Sequence, residues 1–322
     1  MLPLEEATTI FLGLAQLKGV GFKTLRGYGG VDAVAEGFAT EGASKFIRRL
    51  SDEPLTHDVH SQVLRMGTVA AANIRNRGIH LVRAGDPNYP KRFEDLDENL
   101  RPLWFFYRGD VQLLSAFNVG VVGTRSPSDE GAFLAKYAVA TVRALDACLV
   151  SGLAKGVDEI AHEWALHSGV KNISVLANGL LRVYPAKNAD LADKIVDAGG
   201  VLISEYLPGE APSAEAFVWR NRLQAALSNC VVAPEWKRAS GTAHTIRFAK
   251  KLGRPTINLV STGRTFSDDH GQADMSFNVP AEHTEFTDAL RGTLAGGHEP
   301  PAEAHAKTAF FARQGDLFGA TE

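Results

Sequence analysis

The sequence predicts an α/β protein: a doubly wound, mostly parallel sheet, preceded by a small helical domain and followed by a flexible tail. Three observations predict it. Short apolar runs occur at 119–123, 147–151, 172–177, 201–204, 230–234 and 255–260. Helical patterns separate them, at 127–145, 156–167, 188–198, 214–228 and 241–252. The apolar runs are continuous rather than alternating, so each strand needs cover on both faces, which helical crossovers between parallel strands provide. A length of 322 residues, 45% of them hydrophobic, suffices for one sizeable core plus an accessory unit.

Taken in order, residues 1–78 read as the helical domain. Within it "LKGVGFKTL" (17–25) sets a Gly-x-Gly between helical stretches, with Lys23 after it. Such a hairpin either offers backbone N–H groups to a phosphate or is a tight turn that needs glycine. "GIHLVRAG" (78–85) and "PLWFFYRGD" (102–110) read as two strands extending the sheet of a domain that spans 79–262. In the first crossover helix Leu134, Tyr137, Thr141 and Leu145 mark one face, and Ser126-Pro127 supplies an N-cap and a first-turn proline. From 263 to 322 the chain is polar and rich in Gly, Pro and Ala, as in "STGRTFSDDHGQ" and "LAGGHEPPAEAHAK", and reads as linker and tail.

Composition narrows the function. No apolar run reaches the length of a membrane span, and the first residues lack a basic stretch and a cleavage site. The two cysteines, Cys148 and Cys230, sit in apolar runs and read as buried thiols, which fits a reducing cytoplasm. No Cys/His cluster has metal-ligand spacing, and no cofactor is expected. The net charge of −3 conceals a basic stretch: from Phe217 to Arg254 there are eight Lys or Arg and one acid, Glu235. That suits a polyanionic partner, or marks a solvated helix face.

In an open parallel sheet, ligands bind outside the carboxyl ends of the strands. Those ends carry Gly123-Thr124-Arg125, Ser151-Gly152, Asn178-Gly179, Ser204-Glu205 and Pro234-Glu235. Arg125, beside a helix start with free backbone N–H groups, makes an anion site. The dinucleotide fingerprint and the Walker A pattern are both absent. Lys155 is within reach of an anion at the second turn. Asp158 reads as a cap, and His162 and His167 as surface or packing residues. Arg220, Asn221 and Arg222 open a helix just after Phe217 and Trp219, a mixture of guanidinium and rings that suits a single strand, although Phe217 fits a core equally well.

"GVVGTRSPSDEG", "SGLAKGVDEIAHEWAL", "VLANGLLRVYPAKNADL", "ISEYLPGEAPSAEAFVWRNRLQAALSNCVVAPEWKRASGTAHT" and "RFAKKLGRP" occur in this order and resemble the DNA-processing protein A (DprA/Smf) family over about residues 80–260. The resemblance implies an extended Rossmann-like fold with a SAM- or helix-hairpin-helix-like N-terminal domain. It implies a homodimer that binds single-stranded DNA and loads the recombinase RecA onto it during DNA processing, transformation or recombination. The DNA-binding residues it suggests are Gly123, Thr124 and Arg125, with Lys155, Lys187, Arg220 and Arg222; the strand end at Ser151-Gly152 and Asn221 at the helix start complete the expected set. The family's Pro-Gly and G-x-N-x-L-I segments have no counterpart in "INLVSTGRTFSDDHGQADMSF". With no paired carboxylates at metal spacing and no activated nucleophile, no catalysis is expected.

The alternative is a nucleotide sensor or a nucleotide-sugar hydrolase of the related fold group, in which Glu205 or Glu235 would bind a ribose or activate water. Its P-G-G-x-G-T-x-x-E signature survives here only as Gly241-Thr242 in "PEWKRASGTAHT". At the C-terminus, Gln314, Asp316, Leu317 and Phe318 in "QGDLF" resemble the peptide by which bacterial proteins dock on the replication sliding clamp. The other reading of that segment is a terminal helix packing on the protein's own core.

Overall fold

Two helices that cross at glycines anchor the N-terminal unit. In a computed structural model, which describes residues 2–51, 58–263 and 273–295, this unit contains α1 (Leu4–Leu14), α2 (Phe22–Gly27), α3 (Gly30–Glu41), α4 (Ala43–Ile47) and α5 (Val59–Asn76). α1 buries Ala7, Ile10, Phe11 and Leu14 at helical spacing, and α5 buries Val59, Val63, Gly67, Ala71 and Ile74. A Cβ at Gly13 would run into the Val63 carbonyl, and one at Gly67 into the Thr9 carbonyl. Only glycine lets the two backbones approach so closely. The unit then packs on the sheet through rings: Phe11 and Phe22 meet Trp104 edge-on at 5.1 and 5.5 Å.

The rest of the chain alternates strand and helix. β1 (Ile79–Arg83), β2 (Trp104–Gly109) and β3 (Asn118–Val121) come first, then α6 (Asp129–Ala144), β4 (Cys148–Ser151) and α7 (Val157–Ser168). β5 (Asn172–Val175), α8 (Ala189–Asp197), β6 (Val201–Ser204), α9 (Ala214–Leu227), β7 (Cys230–Ala233), α10 (Gly241–Lys251) and β8 (Thr256–Ser261) follow. β9 (Met275–Val279) and α11 (His283–Ala295) complete the described chain.

The sheet order is β1-β2-β6-β5-β4-β3-β7-β8-β9. From β6 to β9 all neighbours are parallel; β2 pairs antiparallel with β6, and β1 antiparallel with β2. Every residue of β3 to β7 is buried, as cover on both faces requires. Val119, Val121 and Leu149 face α6, α7 and α11, whereas Val122, Val150 and Ile173 face α9 and α10. β3 bonds to β4 on one side and to β7 on the other, so the winding reverses between β3 and β7. In such sheets that reversal opens a crevice at the strand ends. Both cysteines are free and buried, and burial pushes the Cys230 thiol up to about 12.

Two expectations need correction. Residues 273–295, expected as linker, form β9 and α11 instead. β9 leaves most of its residues half-buried and fully buries only Val279, and among the described residues α11 buries just Phe286 and Leu290. Their apolar signal is therefore sparse: β9 is held by its parallel ladder with β8, and α11 lies on the α6 face, where Tyr137 Oη meets His283 Nδ1 at 2.7 Å. The N-cap of α6 is Ser128 rather than Ser126: its Oγ accepts from Gly131 N at 3.1 Å. Glu235 fixes it there, accepting from Ser128 N at 2.9 Å and from its Oγ at 2.8 Å. The clamp-like residues Gln314, Asp316, Leu317 and Phe318 lie outside the described residues.

Candidate nucleic-acid interface

The crevice between the ends of β3 and β7 is a cleft of about 680 Å³. Its walls are the turn at Val122–Arg125, the start of α10 from Ser240 to Thr245, and the side of α9 that carries Phe217, Arg220, Asn221 and Gln224, with Tyr184 and Asp158 also lining it. Those four α9 residues fall at i, i+3, i+4 and i+7, one helical face.

The turn after β3 spends several of the backbone N–H groups expected to be free on the protein itself. Thr124 N donates to the Glu235 carbonyl at 2.8 Å, Ser126 N to Thr124 Oγ1 at 3.3 Å and Ser128 N to the Glu235 carboxylate. The first and last of these tie the turn to Glu235 just after β7, and the second closes the turn on itself. A Cβ at Gly123 would meet Val157 and the Glu235 carbonyl, so glycine allows that close fit. Gly156 supports the turn from the other side at φ +92°, where a Cβ would strike Thr124 O and Arg125. The turn presents the Arg125 side chain instead. Arg125 is exposed, no carboxylate among the described residues pairs with it, and its guanidinium carbon stands 4.8 Å from the Phe217 ring centroid. The Phe217 ring is 5.8 Å from that of Tyr184, which is 49% exposed. A free guanidinium stacked beside two aromatic rings at a cleft mouth can hold a phosphate and stack a base.

The floor is different. Arg220 is 4% exposed and donates from Nη1 to the Val175 carbonyl at 2.6 Å. The Gln224 amide, turned with its oxygen inward, accepts from Arg220 Nη1 at 2.9 Å and from Gly152 N at 3.0 Å. Arg220 Nε is buried with no partner. Burial lowers the Arg220 pKa to about 10, with Asp158 opposing the shift. Gly152 makes room for this arginine, since a Cβ there would run into Nη1. Asp158 is not the helix cap expected of it. The cap position is Gly156, and the carboxylate accepts from Gly152 N at 3.1 Å, bracing the turn under Arg220. Burial holds its pKa above the usual carboxylate value. Beneath it His162 is a packing residue, bonded to Asn172 Oδ1 at 2.8 Å and to Ser174 Oγ at 3.2 Å.

Of the residues singled out from sequence, Gly123, Thr124, Arg125, Arg220 and Asn221 line the cleft. Lys155 is exposed on the rim, next to Ala154 of the wall. Three others stand apart. Ser151 is fully buried and spends its hydroxyl on the Val121 carbonyl at 2.7 Å. Lys187 is paired with Glu159 at 2.6 Å and does not line the cleft. Arg222 is fully buried on the opposite side of α9, donating to Leu100 O and Trp219 O at 2.7 Å each and to Glu205. Sequence reasoning missed Tyr184, Gln224, Thr242 and Thr245. Gln224 was findable, because it continues the helical spacing from Phe217.

The sequence model of the family described as DNA recombination-mediator protein A matches residues 80–284. The chain belongs to that family. It is 34% identical over 180 residues to protein Smf of Escherichia coli, covering 56% of this chain and 48% of that one. It is 40% identical over 160 residues to the DNA processing protein DprA of Streptococcus pneumoniae, covering 49% and 55%. The match thus spans about half the length of these curated relatives. The crystal structure of the S. pneumoniae protein superposes with a TM-score of 0.59 at 25% identity, covering 92% of this chain and 99% of that one. A Helicobacter pylori DNA processing protein A, described for its single-stranded DNA binding mode, superposes with a TM-score of 0.57 at 30% identity, covering 66% and 96%. The fold is therefore the DprA-like Rossmann type. Among the described residues no helix is long and apolar enough to cross a membrane.

Proposed function

We propose that this protein binds single-stranded DNA in the β3–β7 cleft and acts as a recombination mediator that loads RecA onto the strand. The observation that carries the reading is the mouth of the cleft, where exposed Arg125, paired with no carboxylate among the described residues, stacks on Phe217 beside exposed Tyr184. Phosphates sit against Arg125 and the rim residue Lys155, and bases stack on the rings. The floor, with the unpartnered Arg220 Nε and the Asn221 and Gln224 amides, supplies polar groups to what enters. The H. pylori relative's single-stranded DNA binding supports this reading.

In this reading the protein works in the cytoplasm, as a homodimer, on DNA and RecA, without a cofactor and without catalysis. Residues 1–78 form one unit, and the second, expected at 79–262, runs on through β9 and α11. The "QGDLF" segment at 314–318 is a docking peptide for the sliding clamp. A peptide covering 309–322 is expected to bind the clamp with an affinity on the order of micromolar. Loss of clamp binding on Leu317→Ala with Phe318→Ala, at unchanged single-strand affinity, would support that role.

The hydrolase alternative loses its candidate acids. Glu205 is 1% exposed and held by two arginines, and Glu235 caps Ser128. The test of the binding reading is a salt titration with single strand, duplex and free nucleotides. With about three phosphates neutralised, the log–log slope for the single strand is roughly −2, an affinity loss near 20-fold between 50 and 200 mM salt. Equal affinity for duplex, tighter binding of a free nucleotide, or no salt dependence contradicts the reading.

A further inference from the structure

α9 carries polar groups on two faces. One lines the cleft; the other, with Glu215, Trp219 and Arg222, meets the N-terminal helical unit. Between them and α2 lies Glu205, just after β6, which accepts from Arg222 Nη2, from Trp219 Nε1 at 3.1 Å and from Arg26 Nη1 at 2.8 Å. Arg26 is on α2, and its Nη2 donates to the carbonyls of Asn99 and Arg101 at 2.8 Å each. Its guanidinium carbon is 5.2 Å from the Trp219 ring centroid, and that of Arg222 is 4.0 Å from the same ring.

A charge count shows what Arg26 adds. Arg222 is fully buried and already neutralises Glu205, so Arg26 leaves the cluster with one surplus positive charge. Burial lowers the Arg26 pKa against the pull of Glu205, so holding it there costs desolvation. Neutrality does not require this residue. Its rigid fork does tie four parts of the chain to one planar group: α2, the carbonyls before β2, the end of β6 and the start of α9. The neighbouring Lys23–Glu215 pair at 2.5 Å bridges the same seam but is exposed, and such pairs hold little.

We infer that Arg26 is a positioning residue for the cleft. It fixes the first turns of α9 against α2, and so sets where Phe217 and Arg220 stand on the helix's other face. The N-terminal unit thereby shapes a binding site it does not touch. This rests on the cleft being the single-strand site.

The test uses the full chain, Arg26→Met and Arg26→Lys, a labelled oligothymidylate and anisotropy at several salt concentrations, with thermal melting of each protein. Arg26→Met is expected to raise Kd by about fivefold or more. The salt slope is expected to stay at the parent's value, because no phosphate contact is removed. Arg26→Lys keeps the charge without the fork and is expected to recover only part of the affinity. A folded Arg26→Met with the parent's Kd overturns the inference. So does a shallower salt slope, which would place Arg26 on the DNA itself. A parent that does not bind the oligonucleotide instead overturns the cleft reading, and this inference falls with it. Hydrogen exchange on the parent needs no variant. Bound oligothymidylate is expected to slow exchange in residues 22–27 as well as in α9, and protection confined to the cleft elements overturns the inference.

Discussion

Replacing Arg125 by alanine separates the side chain of the β3 turn from its backbone. The guanidinium is exposed and pairs with no described carboxylate, so its removal is expected to change stability by less than about 0.5 kcal/mol. Its contribution lies in binding. One charge-assisted hydrogen bond to a phosphate is worth about 1.5 kcal/mol at the low end suited to an exposed site, roughly tenfold in Kd. Phe217, 4.8 Å from the guanidinium carbon, holds the fork in place before the strand arrives. The log–log salt slope is expected to become shallower by about 0.7, the share of one phosphate. Arg125→Lys keeps that slope but loses the planar fork and its stack, so its Kd is expected to fall between parent and alanine. The assay is anisotropy of a labelled oligothymidylate from 50 to 200 mM salt, with melting curves alongside. An alanine variant with unchanged melting, Kd and slope refutes the assignment of a phosphate to Arg125.

The remaining predictions probe the floor and the interior. Gly152→Ala drives a Cβ into Arg220 Nη1 and is expected to cost about 1–3 kcal/mol in denaturation and to weaken binding. Gly241→Ala, where an added Cβ meets nothing within 4 Å, is expected to be near neutral in stability. Arg222→Met leaves Trp219 O and Leu100 O short of their donor and is expected to cost about 3 kcal/mol of stability while leaving the salt slope unchanged. A shallower slope would return Arg222 to the DNA-binding set. His162 is held neutral, with burial lowering its pKa to about 4. Between that value and its unfolded value near 6.5 the unfolded chain binds the extra proton, so stability is full above the window and falls as pH drops through it. The loss is about 3 kcal/mol, partly offset by the raised pKa of Asp158, which acts in the opposite sense. His162→Gln is expected to flatten melting temperature between pH 6.5 and pH 4.5, and an unchanged pH dependence would show that His162 is not its source.

The parallel core was legible because its strands are short, largely apolar runs, buried on both faces and separated by helical patterns. β9 and α11 were not, because each offers only one or two buried side chains among the described residues, and β9 takes its place from the ladder with β8 while α11 packs on the α6 face. The cleft was half legible. Strand ends located Arg125, but N–H groups counted as free are bonded: those of Thr124 and Ser128 to Glu235, distant in sequence just after β7, and that of Ser126 to Thr124 Oγ1. Arg220 and Arg222 looked like a pair; two residues apart on a helix they point about 200° away from each other, so one ligand cannot meet both. That much was available from spacing alone. Tyr184 was not, because its loop reaches Phe217 only through the fold, and neither was Arg26, whose partner Glu205 is 179 residues away.

Photocross-linking of a thymidine-containing single strand, with mass spectrometry of the linked peptides, tests the central claim most directly. If bases stack at the cleft mouth, the linked residues are Tyr184 and Phe217, and excess unlabelled single strand removes the links while duplex does not. Links confined to other surfaces, with Tyr184 and Phe217 unmodified at saturating DNA, would contradict the account.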